Sequence, residues 1–420
     1  MTDARPYRDL AIRCAEWIDR CGQPFDEGLA WPADPLRPMS IGLDLYGGTP
    51  GVVCFFANLY HATGDTRWRD RAERGGVYIL ASSARRINRL DAGLYTGLAG
   101  LATTYMVLDS TGVGETWRGV ASDAASGLIA RARAVGDAIE WSGVDDITQG
   151  TAGVGLFLLH AASAWGDPAL TDVAARAGRR LLATGRPAEG GLMWLPSASA
   201  TVNYPNFAHG TSGIAYFLAT LYRHTGEPAF LDGALAGARY LQAIATRRNG
   251  GRAIFHRSGD GTDRFYLGWC QGPVGTSRLF YRLLQATGDP VWREWIDDLT
   301  AWIVNSGAPD ERSAGYWNNI SQCCGDAGIG QYCIDLARHH PTPAAAALRE
   351  RIVTSLISRG IDDEEGLRWV QAETRARPDH LLAQTGLMQG AAGVGTFFLQ
   401  LDAYSRGVPW LTPLPDTPWV

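Results

Sequence analysis

The chain of 420 residues contains no lysine, so all 38 of its basic residues are arginines. A Schiff-base mechanism and a P-loop nucleotide site each require a lysine amine, and both classes of site are therefore excluded. The sequence also lacks an apolar run of about 18 residues and an apolar segment at its amino terminus, which mark a membrane span and a signal peptide respectively. These absences favour a cytoplasmic protein without stable insertion in a membrane.

Basic runs are missing as well. The 38 basic residues are balanced by 43 acidic ones, for a net charge of −5, and no arginine cluster is present to contact phosphates. We therefore expect no nucleic-acid partner. Seven cysteines, an odd number in a chain of this size, favour reduced thiols or metal ligands over a disulfide framework.

A Gly-x-x-Gly element, usually followed by an apolar run, organises the whole chain. Its first glycines are Gly48, Gly97, Gly150, Gly210, Gly272, Gly325 and Gly390. A further glycine stands thirteen residues after the second glycine of the pair in four repeats, at Gly64, Gly166, Gly226 and Gly288. Because the seven repeats cover the chain, we predict a single domain over residues 1–420.

The two glycine marks predict a helical hairpin in each repeat. Thirteen residues at about 1.5 Å per residue make a helix of about 20 Å that ends at a glycine suited to the left-handed cap. In the third repeat Asp167 can cap the next helix, with Pro168 in its first turn. The first helix is apolar throughout and the second is amphipathic, which indicates an inner and an outer layer. Neither terminus resembles a polar capping repeat, so we predict an all-α fold that closes on itself: an α/α toroid, or double-layered barrel, of seven helical hairpins.

Cysteines cluster in two consecutive loops that lead into these elements. Cys270 stands two residues before Gly272, and Cys323 and Cys324 stand directly before Gly325. If the inner helices begin at their Gly-x-x-Gly elements, these loops meet at one end of the toroid, where functional residues are expected. Three thiolates suit a Zn²⁺ ion with a fourth position open to water or substrate. Buried free thiols are the alternative interpretation.

The other four cysteines are predicted to pack in the core. Cys14 and Cys21 are seven residues apart and are expected on one face of the first helix. Cys54 and Cys333 lie within apolar helical segments, where free cysteine is usually buried.

Two further loop residues are candidates for proton transfer. His209 directly precedes Gly210, in the position that Cys324 has in its own repeat, and can act as a general acid or base. A hydrogen-bonded structural histidine is the alternative. Asp146 lies four residues before Gly150 and can reach the same end or cap the helix, whereas its neighbour Asp145 is expected to cap a helix or to be solvated.

Seven such repeats, a Gly-Trp-Cys-x-Gly loop, a Cys-Cys-Gly loop and an Ala-His-Gly loop resemble the lanthionine synthetase C-like family of cyclases over nearly the whole chain. The resemblance implies an α/α toroid that binds one zinc ion and acts on a ribosomally made precursor peptide. Members add a peptide cysteine to dehydroalanine or dehydrobutyrine and thereby form a (methyl)lanthionine thioether ring. A dehydrated precursor peptide and a separate dehydratase are the implied partners.

The resemblance also implies roles for individual residues. Cys270, Cys323 and Cys324 match the zinc ligands, and Cys324 stands where most members have histidine, as in a subset with an all-cysteine site. His209 and Asp146 match the catalytic acid/base residues.

Two positions depart from the family pattern. Gln271 stands where many members have tyrosine, and Tyr266 stands where some have arginine. These departures keep open a second function, in which a toroid with zinc binds a thiol ligand such as glutathione, or a partner protein, without cyclising a peptide.

Overall fold

The structure is a computed structural model that describes residues 7–311, 316–317 and 319–419. Fourteen α-helices lie within these residues: α1 Tyr7–Arg20, α2 Thr49–Thr63, α3 Thr66–Arg86, α4 Leu98–Ser110, α5 Trp117–Ala130, α6 Thr151–Trp165, α7 Pro168–Thr184, α8 Thr211–Thr225, α9 Pro228–Ile244, α10 Pro273–Thr287, α11 Val291–Val304, α12 Asp326–His339, α13 Pro343–Arg359 and α14 Ala391–Ser405. None of these helices combines the length and the apolar character that crossing a bilayer requires.

Short strands connect the helices. They are β1 Gln23–Phe25, β2 Gly28–Ala30, β3 Arg133–Val135, β4 Ala138–Glu140, β5 Arg186–Ala188, β6 Gly191–Met193, β7 Thr246–Arg248, β8 Gly251–Ala253, β9 Phe265–Tyr266, β10 Tyr316–Trp317, β11 Ile361–Asp363, β12 Gly366–Arg368, β13 Val370–Ala372 and β14 Leu381–Ala383. They pair two by two, and only β9 with β10 is parallel among the described pairs.

The inner helices follow the glycine marks. Seven helices begin at the residue after the first glycine of a repeat, namely α2, α4, α6, α8, α10, α12 and α14. Four of them end at the glycines predicted to close them: Gly64, Gly166, Gly226 and Gly288 have φ between 68° and 71°. This left-handed backbone favours glycine. The predicted starts and ends of these helices are confirmed.

The outer helix α7 is amphipathic, as expected. In α7 the carboxylate of Asp167 accepts a hydrogen bond from the backbone N–H of Ala169, and Pro168 opens the helix. The buried residues of α7 include Leu170, Ala174 and Leu181, which recur at helical spacing on one face.

The chain contains two compact units. The first comprises Met1–Leu90, Gly100–Ala124 and Asn319–Pro413, and in it α2 packs on α3, α12 on α13 and α14 on α1. The second comprises Asp91–Ala99, Ala125–Asn318 and Leu414–Val420, and in it α6 packs on α7, α8 on α9 and α10 on α11. The single domain over residues 1–420 stays a prediction.

The seventh hairpin differs from the prediction. In each repeat the inner helix was expected to pack on the helix that follows it in the chain, but here it packs on one that precedes it. Helix α14 packs on α1, and Arg8 forms an ion pair of 2.8 Å with Asp402 between the two helices. The reason is that no outer helix follows α14 among the described residues. The last inner helix therefore buries its apolar face against the amphipathic helix at the amino terminus.

Small β-hairpins follow five outer helices and were not predicted. A tryptophan stands just after the second strand in four of these hairpins. In three of the four its indole N–H donates to a helix carbonyl thirteen residues earlier: Trp141 to Leu128, Trp194 to Leu181 and Trp369 to Leu356. The donor–acceptor distances are 2.7–2.8 Å. These tryptophans fix the start of each loop that leads back to an inner helix.

Candidate functional site

Each loop enters its inner helix in the same way. The first glycine allows a close approach that a side chain would prevent, because a Cβ at Gly210 would lie 1.5 Å from the carbonyl oxygen of Tyr204 and one at Gly325 would lie 1.9 Å from that of Asn319. We number loop residues backwards from this glycine, so that His209 and Cys324 occupy position −1, and Cys270 and Cys323 occupy position −2.

Backbone hydrogen bonds join neighbouring loops through position −2. In the second unit the N–H of Ala208 donates to the carbonyl of Cys270 (2.8 Å), and the N–H of Ile147 donates to the carbonyl of Ala208 (3.2 Å). In the first unit the N–H of Cys323 donates to the carbonyl of Met388 at 2.9 Å. The loops that carry Asp146, His209 and Cys270 are thus fixed side by side within one unit.

His209 and Asp146 are brought together in the second unit. The Nδ1 atom of His209 lies 2.7 Å from Oδ2 of Asp146, and the hydroxyl of Thr148 donates to the same oxygen at 3.1 Å. The carboxylate is 3% exposed, whereas the imidazole is 41% exposed. Because Nδ1 is held by the carboxylate, Nε2 is the ring nitrogen left to exchange a proton with a ligand.

The other oxygen of the same carboxylate holds the turn that leads into a helix. Oδ1 of Asp146 accepts hydrogen bonds from the backbone N–H groups of Gln149 (2.8 Å) and Gly150 (3.0 Å), at the start of α6. Gly150 is the N-cap residue of α6, and no side chain caps this helix, so the interpretation of Asp146 as a helix cap is wrong. Oδ1 holds the turn that precedes the helix, while Oδ2 is bonded to the histidine.

Asp145 is not solvated, so that part of its interpretation is wrong. The residue is 4% exposed, and burial raises the pKa of its carboxyl group, against a hydrogen bond from the Thr184 side chain that lowers it. Its backbone N–H and C=O both take part in the loop, bonding to Pro196 and Ala152, which turns the side chain into the interior.

Aromatic rings extend from His209 along the second unit. Tyr204 contacts the rings of both His209 and His256 edge-on, and His256 stacks on Tyr266 with a centroid separation of 4.3 Å. Tyr266, one of the two departures from the family pattern, is therefore part of an aromatic wall. Gln271, the other departure, is 3% exposed, and its amide nitrogen and oxygen have no hydrogen-bond partner among the described residues.

A buried ion pair lies next to the loops that carry His209 and Cys270. Arg278 on α10 bonds to Asp416 at 2.6 Å, and the indole N–H of Trp269 donates to the same carboxylate at 2.8 Å. The ring of Phe207 contacts Trp269 edge-on and lies beneath the guanidinium of Arg278. Sequence reasoning missed this cluster because Asp416 is far from the loops in the chain and belongs to no repeat.

Two thiols are adjacent in the first unit. The Sγ atoms of Cys323 and Cys324 lie 3.4 Å apart, and both residues are buried. The hydroxyl of Ser321 accepts a hydrogen bond from the backbone N–H of Cys324 at 3.1 Å, which fixes the turn into α12. The side chain of Gln389 also contacts Cys324, with its Nε2 3.9 Å from Sγ.

In the part of the chain that the structure describes, Cys270, Cys323 and Cys324 are the group of three side chains that could hold a metal ion. Sulfur donors of this kind suit Zn²⁺, and three of them leave one tetrahedral position for another ligand. The donor set therefore fits the predicted ion.

The remaining thiols differ from this group. Cys14, Cys54 and Cys333 are buried within helices, and burial raises the pKa of Cys54 and of Cys333 to about 12 and that of Cys14 well above its usual range. Cys21 is different, because α1 ends at Arg20 and leaves Cys21 partly exposed beyond it. The expectation that it shares a buried helix face with Cys14 is wrong.

The family model described as lanthionine synthetase C-like protein matches residues 40–412. The chain belongs to the lanthionine synthetase C-like family. No curated protein sequence matches it.

Solved structures are similar to this family member over its whole length. Nisin cyclase has a TM-score of 0.65 at 16% identity, with 97% of each chain covered. A protein from Listeria innocua, Lin0763, has a TM-score of 0.54 at 10% identity, covering 96% of this chain and 99% of that one. An α-1,6-mannanase from Salegentibacter has a TM-score of 0.52 at 12% identity, covering 95% and 99%. At identities this low, structural similarity shows the fold alone. It confirms the predicted all-α, α/α-toroid class.

Proposed function

We propose that the protein is a zinc-dependent lanthionine synthetase: it adds cysteine thiols of a ribosomally made peptide to dehydroalanine or dehydrobutyrine and so forms (methyl)lanthionine rings. Family membership supports a cyclase-type protein. The observation that carries the proposal is the His209–Asp146 pair, whose histidine lies in the loop bonded directly to the loop of Cys270. A proton-transfer pair beside a candidate thiolate ligand is what thiol addition to an alkene requires.

In this proposal Cys270, Cys323 and Cys324 hold the zinc ion. Zinc, when bound, supplies a Lewis acid that lowers the pKa of a substrate thiol and so favours the nucleophilic thiolate. The three ligands are buried, which limits access of water to the proposed centre.

His209 is proposed as the general acid. When the substrate sulfur forms its bond to the β-carbon, the π electrons of the alkene move toward the α-carbon, which then accepts a proton. His209 can supply that proton from Nε2, while its Nδ1–H remains bonded to Asp146. The proton that the substrate thiol releases passes to solvent, and His209 takes one back from solvent after it has donated. The peptide thus loses one proton and gains one, so the addition leaves its mass unchanged.

Asp146 is proposed to orient His209 and to stabilise its protonated form. Its carboxylate is itself fixed by two backbone N–H groups and by Thr148, so the imidazole is held in one orientation. A carboxylate that positions a histidine in this way is common to unrelated proton-transfer sites.

The proposed partners are a dehydrated precursor peptide and a separate dehydratase that generates its alkenes. Tyr266 and Gln271 differ from the residues that many family members have at these two positions. Tyr266 forms part of the aromatic wall, and Gln271 contributes a buried amide. We expect these two residues to affect which peptides are accepted rather than the bonds that are made.

The test is incubation of the purified protein with a peptide that carries one cysteine and one dehydroalanine. The expected result is a product of unchanged mass that no longer reacts with a thiol-alkylating reagent, formed by protein that contains one zinc ion per chain. The matched control peptide has alanine in place of dehydroalanine and should stay alkylatable. Protein that holds zinc and binds glutathione but never closes the ring would replace the cyclase with the thiol-binding alternative.

A further inference from the structure

Gln389 occupies position −1 of the seventh repeat, the position that Cys324 has in the sixth. Its side chain is buried, with 3% of the residue exposed. Its Nε2 atom lies 2.7 Å from the hydroxyl oxygen of Tyr46 and 3.9 Å from Sγ of Cys324. Its backbone carbonyl accepts a hydrogen bond of 2.8 Å from the side chain of Gln371. The backbone carbonyl and the side-chain nitrogen of Gln389 are thus held, whereas its buried Oε1 has no hydrogen-bond partner among the described residues. One of its N–H groups is directed to a sulfur atom.

A buried thiolate is costly unless hydrogen-bond donors or cations offset its charge. A zinc ion with three thiolates carries a net charge of −1, whereas a site with two thiolates and a neutral histidine is neutral. An all-cysteine site therefore needs a compensating donor more than a site with a histidine does. The side-chain amide of Gln389 supplies such a donor without adding a titrating group.

We propose that Gln389 is a positioning residue that donates a hydrogen bond to Cys324 and stabilises its thiolate as a zinc ligand. The inference rests on the proposed function, since it assumes that Cys324 binds the metal. Hydrogen-bonding partners of metal ligands typically contribute about 10–100-fold to metal affinity. Loss of the amide should therefore weaken metal binding and change the electronic character of the sulfur, even where the fold is unchanged.

The repeat provides a matched control. Gln149 has the same residue type at the same position −1, but its side chain is exposed. A change at Gln149 removes an equivalent amide from an equivalent place in the fold without touching a thiol. The comparison of the two glutamines separates a contact with sulfur from a general effect of the position.

The experiment uses the full chain with Q389L, Q389M and Q149L. Zinc affinity is measured by competition with a chromophoric chelator, and Co²⁺ is substituted to record the sulfur-to-metal charge-transfer band. We expect Q389L to bind zinc about 10-fold more weakly than the wild type. Its band should move to lower energy, because a thiolate without the hydrogen bond is more electron-rich. Q149L should match the wild type in both measurements.

Q389M decides the outcome if Q389L is misfolded, because methionine keeps the length of the side chain and removes only the amide. Thermal unfolding of the metal-free proteins establishes which variants are folded. Wild-type affinity and an unshifted band in the folded Gln389 variants would overturn this inference and leave the cyclase proposal intact. Wild-type protein that binds no zinc would overturn both.

Discussion

At the scale of the residue, one carboxylate connects the fold to the proposed chemistry. Oδ1 of Asp146 accepts hydrogen bonds from the turn that precedes α6, and Oδ2 holds Nδ1 of His209. The sequence position of Asp146 suggested a helix cap, but its first oxygen instead bonds to the two residues before the helix. Because these backbone groups fix the carboxylate, the orientation of the imidazole follows from the turn that leads into α6.

This division predicts that D146N slows ring formation about 100-fold or more. The asparagine keeps a carbonyl oxygen for the backbone N–H groups of Gln149 and Gly150 but loses the negative charge beside His209. The rate is followed as loss of peptide thiol by mass spectrometry after alkylation, with zinc content and melting temperature as checks on folding. D145N alters the adjacent buried carboxyl group and serves as the control, with an unchanged rate expected. Equal rates for D146N and the wild type would remove Asp146 from the mechanism.

The partly exposed residue Cys21 allows a prediction about how thiol alkylation depends on pH. Burial raises the pKa of Cys21 to about 12, so very little thiolate is present near neutral pH. Since the thiolate is the reactive form, its alkylation in the folded protein should accelerate about tenfold per pH unit between pH 8 and 10. Labelled Cys21 is quantified by peptide mapping, with C21S as the blank. A rate that levels off near pH 9 would show an ordinary, unperturbed thiol.

Residues of the candidate site could be predicted where they stand next to a Gly-x-x-Gly element of the repeat. Cys270, Cys324 and His209 stand out because each directly or nearly precedes a first glycine. Gln389 stands at such a position too, but its contact with Cys324 joins two different repeats and has no sequence signal. Asp416 lies beyond the last repeat, and only folding brings it to Arg278.

At the scale of the element, the glycine that ends an inner helix acts through its backbone alone. Gly166 has φ of 68°, and no atom lies within 4 Å of a Cβ added there. A side chain at this position meets only the cost of the left-handed conformation, about 1 kcal/mol.

We therefore expect G166A to lower the free energy of unfolding by about 1 kcal/mol. The control is G127A, a change inside helix α5 where a Cβ also meets no atom within 4 Å. Alanine is favoured over glycine in a helix by about 0.5–1 kcal/mol, so G127A should raise stability. Both are measured by denaturant unfolding. The same sign for the two variants would contradict the assignment of Gly166 as a left-handed cap.

Helix ends were predictable because glycine and aspartate have local backbone reasons to stand there. The β-hairpins after the outer helices were not, because strands of three residues carry too little periodicity to be distinguished from a loop. The tryptophans that anchor them, such as Trp194, indicated only apolar character in the sequence. Their bonds to carbonyls thirteen residues earlier depend on the hairpin geometry.

At the scale of the whole molecule, the two ends of the chain complete different units. Helix α1 supplies the outer partner of α14 in the first unit. The residues after α14 continue to Asp416, which belongs to the second unit and binds Arg278 there. Closure was predictable because neither terminus resembles a polar cap. The helix that provides it was not, since amphipathicity does not specify a partner.

These two connections differ in burial, and so they should differ in strength. The Arg278–Asp416 pair is buried, with 9% and 1% of the side chains exposed, whereas Arg8 and Asp402 are 34% and 17% exposed. Removing one partner of a buried ion pair leaves an uncompensated charge and costs about 3–5 kcal/mol. A pair reached by solvent contributes about 0–1 kcal/mol.

We therefore expect D416N to lower the melting temperature markedly and D402N to change it little. Asparagine preserves the size of each side chain, so the comparison isolates the charge. In D416N the guanidinium of Arg278 remains buried over Phe207 without its carboxylate, while in D402N water replaces much of the lost interaction. Differential scanning calorimetry of the full chain at two salt concentrations provides the check, because salt screens the more exposed pair more strongly than the buried one. Equal shifts for both variants would mean that the side-chain carboxylate of Asp416 contributes no more to stability than a surface ion pair.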